Sequence, residues 1–248
     1  MGTKKYYCTI IVISNKENVL EEYKKSLQIQ KNVDYQLIVI DNTKNQYKSA
    51  RKAFNSVLAQ AYYEMVIFSH PDIRFMSENA LFEILQMVEK INNFGVIGIA
   101  GCQAGKNWAI LSNIIHGDEK REAGKKIEQA IEVQTVDECF FIMKKKIIQE
   151  LKFTDEDGWH LYAVEQSLRM LDKGRKNYIV PAEIWHLSDG RSLEPAYMKG
   201  LEKIISKYRN NVEYINTTVK QWKTRGVEAY WYRKYYYMKQ IMKKLIYR

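Results

Sequence analysis

Over the first hundred positions, hydrophobic residues fall into short unbroken runs separated by stretches that mix apolar and charged residues. The runs are "YYCTIIVIS" (6–14), "YQLIVIDN" (35–42), "EMVIFSHPD" (64–72) and "FGVIGIAG" (94–101). Continuous apolarity, in place of strict alternation, predicts strands covered on both faces. The intervening stretches "NVLEEYKKSLQIQ" (18–30), "YKSARKAFNSVLAQAYY" (47–63) and "ENALFEILQMVEKI" (78–91) predict helices. Strands alternating with helices in this way predict a doubly wound α/β core with a parallel sheet.

Beyond about Cys102 the pattern loosens into Gly, Lys and Glu as far as Val133. "VQTVDECFFIMKKK" (133–146) then predicts a further strand, "YAVEQSLRMLDKG" (162–174) a helix, and "KNYIVPAEIWHLSDG" (176–190) a strand running into a loop. Helices are expected over "EPAYMKGLEKIISKYRNN" and much of the C-terminal tail, with no internal repeat and no low-complexity linker.

Length and composition fit this picture. A chain of 248 residues, 46% hydrophobic and 27% charged, can bury a substantial core. Its three cysteines, Cys8, Cys102 and Cys139, are widely spaced with no CxxC, which points to reduced thiols in a cytoplasmic setting. Lys4 and Lys5 precede only a short apolar run with no small-residue cleavage site, so no signal peptide is expected. Tyr6 in place of Ser or Thr argues against myristoylation at Gly2. No run is long enough for a membrane-spanning helix.

The net charge of +10 is unevenly placed. Residues 220–248 hold nine Lys/Arg against Glu228, giving 9 − 1 = +8, so the remaining 219 residues carry only +2. Aromatics interleave with those cations: Trp222, Tyr230, Trp231, Tyr232, Tyr235, Tyr236, Tyr237 and Tyr247. That composition suits a helix lying on an anionic membrane surface, or equally one packing its aromatics on the body. Nucleic acid, which cations and stacking aromatics can also bind, is not expected, because the near-neutral body offers it no further track.

Two glycine runs fail as phosphate loops. "GVIGIAG" has the wrong spacing for GxGxxG, and "GCQAGKN" is one residue short of a Walker loop and lacks its Ser/Thr. More informative are the ends of the first three predicted strands, where Asn15, Asp41 and Asp72 stand. Singly, each reads as a cap or turn residue, and Pro71-Asp72 is ordinary turn chemistry. In an open α/β sheet, however, the strand ends line one ligand crevice.

"IVIDNTKN", "FSHPDI", "VDECFFIMKKK", "FTDEDGWHLY" and "HLSDGR" occur in the order and spacing of family 2 glycosyltransferases with the GT-A fold. Over roughly residues 6–191 the chain resembles the branch whose acidic motif reads His-X-Asp. The resemblance implies a Rossmann-like, mostly parallel sheet flanked by helices (1–191), followed by a helical, basic-aromatic extension (192–248). It places Asn15, Asp41, Asn42, Arg51 and Asn55 on the nucleotide side of a nucleotide-sugar donor. Asp72 and His186 would hold Mn2+ or Mg2+ at the diphosphate, where one or two carboxylates plus phosphate oxygens suffice. His70 would orient Asp72, face the diphosphate, or simply pack. Asp137, a catalytic candidate, would stand near the donor sugar and the acceptor, and Trp159 and His160 on the acceptor side.

The chain departs from the family at one point. An inverting enzyme needs a base for the acceptor proton, and the family's aspartate is expected where this chain has Ala163. Glu165 is the first substitute and Asp157 the second, with Asp155 and Glu156 nearby. The implied function is metal-dependent, inverting sugar transfer from a UDP-linked donor to a glycan, lipid-linked or other hydroxyl acceptor, at the inner membrane surface. The alternative is a non-catalytic nucleotide-sugar-binding or scaffold protein that has lost its base.

Overall fold

A computed structural model describes residues 4–188 and 195–246. The division expected at residue 191, the last three residues of "HLSDGR", and Gly2 and Tyr247 lie outside the described residues.

In chain order the elements begin β1 (Tyr6–Ser14), α1 (Glu17–Gln28), β2 (Val33–Asp41) and α2 (Ala50–Val57), which runs into a single 3-10 turn at Leu58–Gln60. Next come β3 (Met65–Ser69), β4 (Ile73–Phe75), α3 (Ala80–Glu89), β5 (Phe94–Gly98) and β6 (Ala100–Cys102). The loosely patterned region holds short strands: β7 (Ile110–Ser112), β8 (Ile115–His116), β9 (Arg121–Glu122), β10 (Ile131–Val133) and β11 (Thr135–Val136). They are followed by β12 (Phe140–Lys144), α4 (Lys145–Glu150), α5 (Tyr162–Asp172), β13 (Lys176–Ile179) and β14 (Ile184–His186). The chain closes with α6 (Pro195–Tyr208), β15 (Tyr214–Asn216), β16 (Gln221–Lys223) and α7 (Val227–Ile246).

The central sheet has seven strands in the order β10-β13-β5-β12-β3-β1-β2. β1 lies parallel between β2 and β3, and β13 is parallel to β5. β12 inserts antiparallel between β3 and β5, and β10 is antiparallel at the edge. Five of the seven strands therefore point the same way.

Unbroken apolar runs are needed because both faces are covered. Ile10, Val12, Ile67, Phe140 and Ile142 face α1 and α3, through Tyr23, Leu27, Leu81 and Leu85. Their neighbours Ile11, Val66, Phe68, Phe141 and Met143 face α2, α4 and α5, through Phe54, Ile148 and Met170. The period of two divides each run between the layers. On the second face Phe68 and Phe141 stack at 4.9 Å.

The glycines of "GVIGIAG" serve close packing. A Cβ at Gly101 would lie 2.4 Å from the Thr135 carbonyl oxygen, and one at Gly95 would lie 2.4 Å from Met170 Cβ.

The C-terminal region shares the body's core: Leu161, Val164 and Leu168 pack with Leu201, Ile205, Ile215 and Trp222. It is not purely helical, because β15 and β16 form a hairpin between α6 and α7. α7 is two-sided. Ala229, Arg233 and Gln240 are buried, Tyr236 and Tyr237 pack on the core, and Arg233 pairs with Glu202 at 2.8 Å.

Candidate functional site

Backbone register explains how residues far apart in sequence meet at the carboxyl ends of β1 and β3. β3 ends at Ser69, and the His70 amide donates to the Cys139 carbonyl at 2.8 Å, which fixes the exit of the chain. β4 then pairs antiparallel with β14, so that Ile73 lies opposite His186. The Leu187 amide donates to the Asp72 carbonyl at 2.9 Å, extending the ladder by one step. β8 pairs on the other side of β14 and brings His116 opposite His186.

The result is a cluster of His70, Asp72 and His186, whose ligand atoms all lie within 4.8 Å of one another. Asp72 Oδ1 stands 3.3 Å from His186 Nε2 and 3.8 Å from His70 Nδ1. The other nitrogens are engaged: His70 Nε2 lies 2.9 Å from the Tyr162 hydroxyl, and His186 Nδ1 lies 3.3 Å from His116 Nδ1.

Electrostatics tie the cluster together. Burial alone would raise the Asp72 carboxyl, but its pairing with His186 and the nearby His70 bring it down to about 2. His186 shows the complement. Burial opposes its proton, yet Asp72 holds its pKa above the ordinary imidazole value. Burial pulls His70 the other way, below that value.

Asp72 Oδ1 and His186 Nε2 are both buried and make no hydrogen bond among the described residues. Buried polar atoms normally find partners. Two that face each other, with a third ligand atom beside them, fit a divalent cation.

Two cavities open at this cluster. One, of about 510 Å³, is lined by Asn15, Asn42, His70, Asp72 and Trp159 among others. The second, of about 690 Å³, is lined by His116, Asp137, His186, Tyr197 and Thr218 among others. Glu138 and His160 belong to the walls of both.

Asp137 sits in the turn between β11 and β12. Its carboxylate accepts from the Thr218 hydroxyl, and from the Cys139 amide at 2.9 Å. Although burial opposes its charge, these bonds hold it below the usual carboxylate range. Glu138, the next residue, is pushed up to about 8 by burial and by the Asp137 charge. Its Oε1 accepts the Tyr162 amide at 2.7 Å, at the start of α5.

Other residues singled out in the sequence are placed elsewhere. Asp41 is exposed and accepts the Thr43 amide at 2.8 Å. Ile38 and Ile40 take the core face of β2, so the period of two turns Asp41 away, and the buried Asn42 lines the cavity instead. Asn55 bonds the backbone of Phe153 in both directions, at 2.8 and 3.1 Å.

Arg51 and Glu165 form a buried pair at 3.0 Å, and Arg51 also donates to the His160 carbonyl at 3.2 Å. Glu165 further accepts from the Thr154 hydroxyl at 2.8 Å. It lines neither of the two cavities but a third, separate cleft, together with Arg51 and Asp157. Asp157 is exposed and paired with Lys52 at 2.7 Å. Both carboxylates expected to stand in for the missing base are thus turned away from the cluster. Trp159 lies on the side of Asp72 and not of Asp137.

Glu138, Tyr162, His116 and Thr218 escaped the sequence reading. For Glu138 a signal existed, an acidic residue directly before the apolar run "CFFIM".

Comparison with known proteins agrees with this architecture. No curated protein sequence matches the chain significantly. Among solved structures it is similar to the mannosyltransferase PcManGT of Pyrobaculum calidifontis, solved with GDP-Man and Mn2+. The TM-score is 0.56 at 12% identity, over 82% of this chain and 64% of that one. It is also similar to S. aureus TarS 1-349, solved with UDP-GlcNAc, with a TM-score of 0.51 at 15% identity, over 85% of this chain and 68% of that one. The chain therefore spans about two thirds of the length of these neighbours, and at such identities the likeness carries the fold. Residues 8–208 match the profile described as "Glycosyltransferase like family", and with most of its length covered the chain belongs to that glycosyltransferase-like family.

Proposed function

We propose that the protein transfers a sugar from a nucleotide-diphosphate sugar to a hydroxyl acceptor, with inversion and with the help of a divalent cation. The observation that carries this reading is the half-buried His70–Asp72–His186 cluster at the junction of two cavities, in which Asp72 Oδ1 and His186 Nε2 are buried, face each other and make no hydrogen bond among the described residues. The smaller cavity, with Asn15, Asn42 and Trp159, takes the nucleotide side of the donor. The larger, with Asp137 and Thr218, takes the sugar and the acceptor.

A bound cation would supply positive charge against the departing diphosphate. Two imidazoles beside one carboxylate suit Mn2+ better than Mg2+, which prefers oxygen ligands. Asp72 and His186 would hold it, with His70 kept in orientation by the Tyr162 hydroxyl. Asp137, kept ionised by Thr218 and Cys139, can accept hydrogen bonds from sugar hydroxyls. Calorimetry with UDP, and with GDP as the competitor, in the presence and absence of Mn2+, tests the binding half. Hydrolysis of UDP-sugars tests the chemical half. Binding without any turnover across donors and acceptors would favour the alternative of a non-catalytic nucleotide-sugar-binding protein.

α7 supports a setting at the cytoplasmic membrane surface, where a glycan or lipid-linked acceptor would be met. Trp231, Tyr235, Met238, Met242 and Leu245 recur at intervals of four and three, forming one stripe along the helix, and all are exposed. Lys234 and Lys239 flank that stripe. In a pairing of two copies these lysines would meet lysines, whereas an anionic lipid surface neutralises them. None of the helices among the described residues is long and apolar enough to cross a membrane, so the contact would be peripheral.

A further inference from the structure

Sugar transfer with inversion needs a carboxylate where donor and acceptor meet, and the turn between β11 and β12 supplies one. Asp137 and Glu138 are adjacent but diverge. Asp137 is bound to Thr218 and the Cys139 amide, while Glu138 reaches toward the start of α5. That helix opens at Leu161, whose φ of 64° is left-handed, a strained state for a branched residue. The kink presents the Tyr162 amide to Glu138 Oε1 and seats His160 at the junction of the cavities.

Three of the other carboxylates named above are committed. Asp72 belongs to the cation cluster, Asp137 is doubly bonded, and Glu165 is locked to Arg51 in another cleft. Ala163 carries no acid and is fully buried.

Resting on the transferase reading above, we propose that Glu138 is the general base, whose carboxylate takes the proton of the acceptor hydroxyl as its oxygen attacks the anomeric carbon. In that step the new bond from oxygen to the anomeric carbon forms as the O–H bond breaks. The bond from the anomeric carbon to the diphosphate oxygen breaks, and the nucleoside diphosphate leaves with the electron pair. The proton stays on Glu138 until solvent removes it.

Neighbouring carboxylates driven apart in proton affinity are what such a division of labour requires: Asp137 is held low, while burial and the Asp137 charge set Glu138 near the working range of a base. The groups that face Glu138 are Asp137 beside it, Arg51 on α2, Tyr162 on α5 and Tyr197 on α6.

The test uses the full chain with Mn2+ and two donors, UDP-GlcNAc and GDP-mannose. Binding is read by calorimetry, and turnover as release of nucleoside diphosphate. Glu138→Gln keeps an oxygen for the Tyr162 amide, so its melting temperature and donor affinity should match wild type while kcat falls about 100-fold or more. Glu138→Asp should retain part of the rate, with the acidic limb of its pH–rate profile displaced.

Wild-type kcat in Glu138→Gln overturns the proposal. So does an equal loss of donor affinity and melting temperature in Glu138→Gln and Glu138→Asp, which would mark a structural cap. Loss of turnover on replacing His160 while Glu138→Gln stays active would move the role to His160. A wild-type protein that binds neither donor overturns the transferase reading itself, whereas a donor-hydrolysing wild type indifferent to Glu138→Gln overturns the base assignment alone.

Discussion

Asp72 Oδ1 and His186 Nε2 face each other at 3.3 Å, each buried and each without a hydrogen bond among the described residues. The β4–β14 ladder sets that distance, so the pair is built into the sheet and does not depend on a mobile loop. Asp72→Asn removes the charge and leaves the ladder intact. Mn2+-dependent UDP or GDP binding should fall beyond the roughly 10–100-fold typical of outer-shell substitutions, with little change in melting temperature. Titration calorimetry of the variant checks this, and unchanged affinity would remove Asp72 from the cation site.

The same pair makes a prediction about pH. Asp72 is depressed from its usual 3.8 to about 2, so its contribution to stability is present above 3.8 and lost as the pH falls through about 2. His186 is raised above its usual 6.5, so its contribution is complete below 6.5 and lost as the pH rises through its folded value. In metal-free protein the pair should therefore stabilise most between about pH 4 and 6.5. A cation must displace the His186 proton, so apparent Mn2+ affinity should climb with pH across neutrality. Melting curves and metal titrations at several pH values report both.

Arg51 and Glu165 form an ion pair in which both side chains are almost fully buried. Removing one charge strands the other, which typically costs about 3–5 kcal/mol. Glu165→Gln should lose stability on that scale in urea unfolding. Below its melting point the variant should retain UDP binding and most of the rate. A large fall in kcat at unchanged stability would return Glu165 to catalysis.

The layered core was readable from the sequence because strands buried on both faces must be apolar at every position. The insertion of β12 between β3 and β5 was not, since a strand's own pattern does not name its ladder partner. β8, β9 and the β15–β16 hairpin were missed because two or three residues carry no periodicity. At the site, strand ends pointed to the ridge that carries Asp72. The one-residue parity separating Asp41 from Asn42 lay beyond that resolution. Glu138 was hidden beside Asp137, while Glu165 was favoured on nearness in sequence, although a helix turns residues two apart to different sides.

The exposed stripe on α7 predicts peripheral binding to anionic lipid. The protein should cosediment with phosphatidylglycerol vesicles, bind phosphatidylcholine vesicles weakly, and lose affinity as salt rises. Replacing Trp231, Tyr235 and Met238 with serine should reduce binding at least tenfold without unfolding the helix, whose packed face is the opposite one. Equal retention on both vesicle types would argue that the stripe serves something else.

The loop of the β15–β16 hairpin carries Thr217, Thr218 and Val219 into the wall of the larger cavity, and Thr218 holds Asp137. A few residues later the same segment becomes α7. Trimming the basic, aromatic end of this protein to improve its handling would therefore breach the wall of the larger cavity if the cut fell before the hairpin. A cut after residue 226 spares the hairpin but strips Arg233 from Glu202 and Tyr236 from Trp222, so substitutions on the exposed stripe, and not truncation, leave the cleft intact.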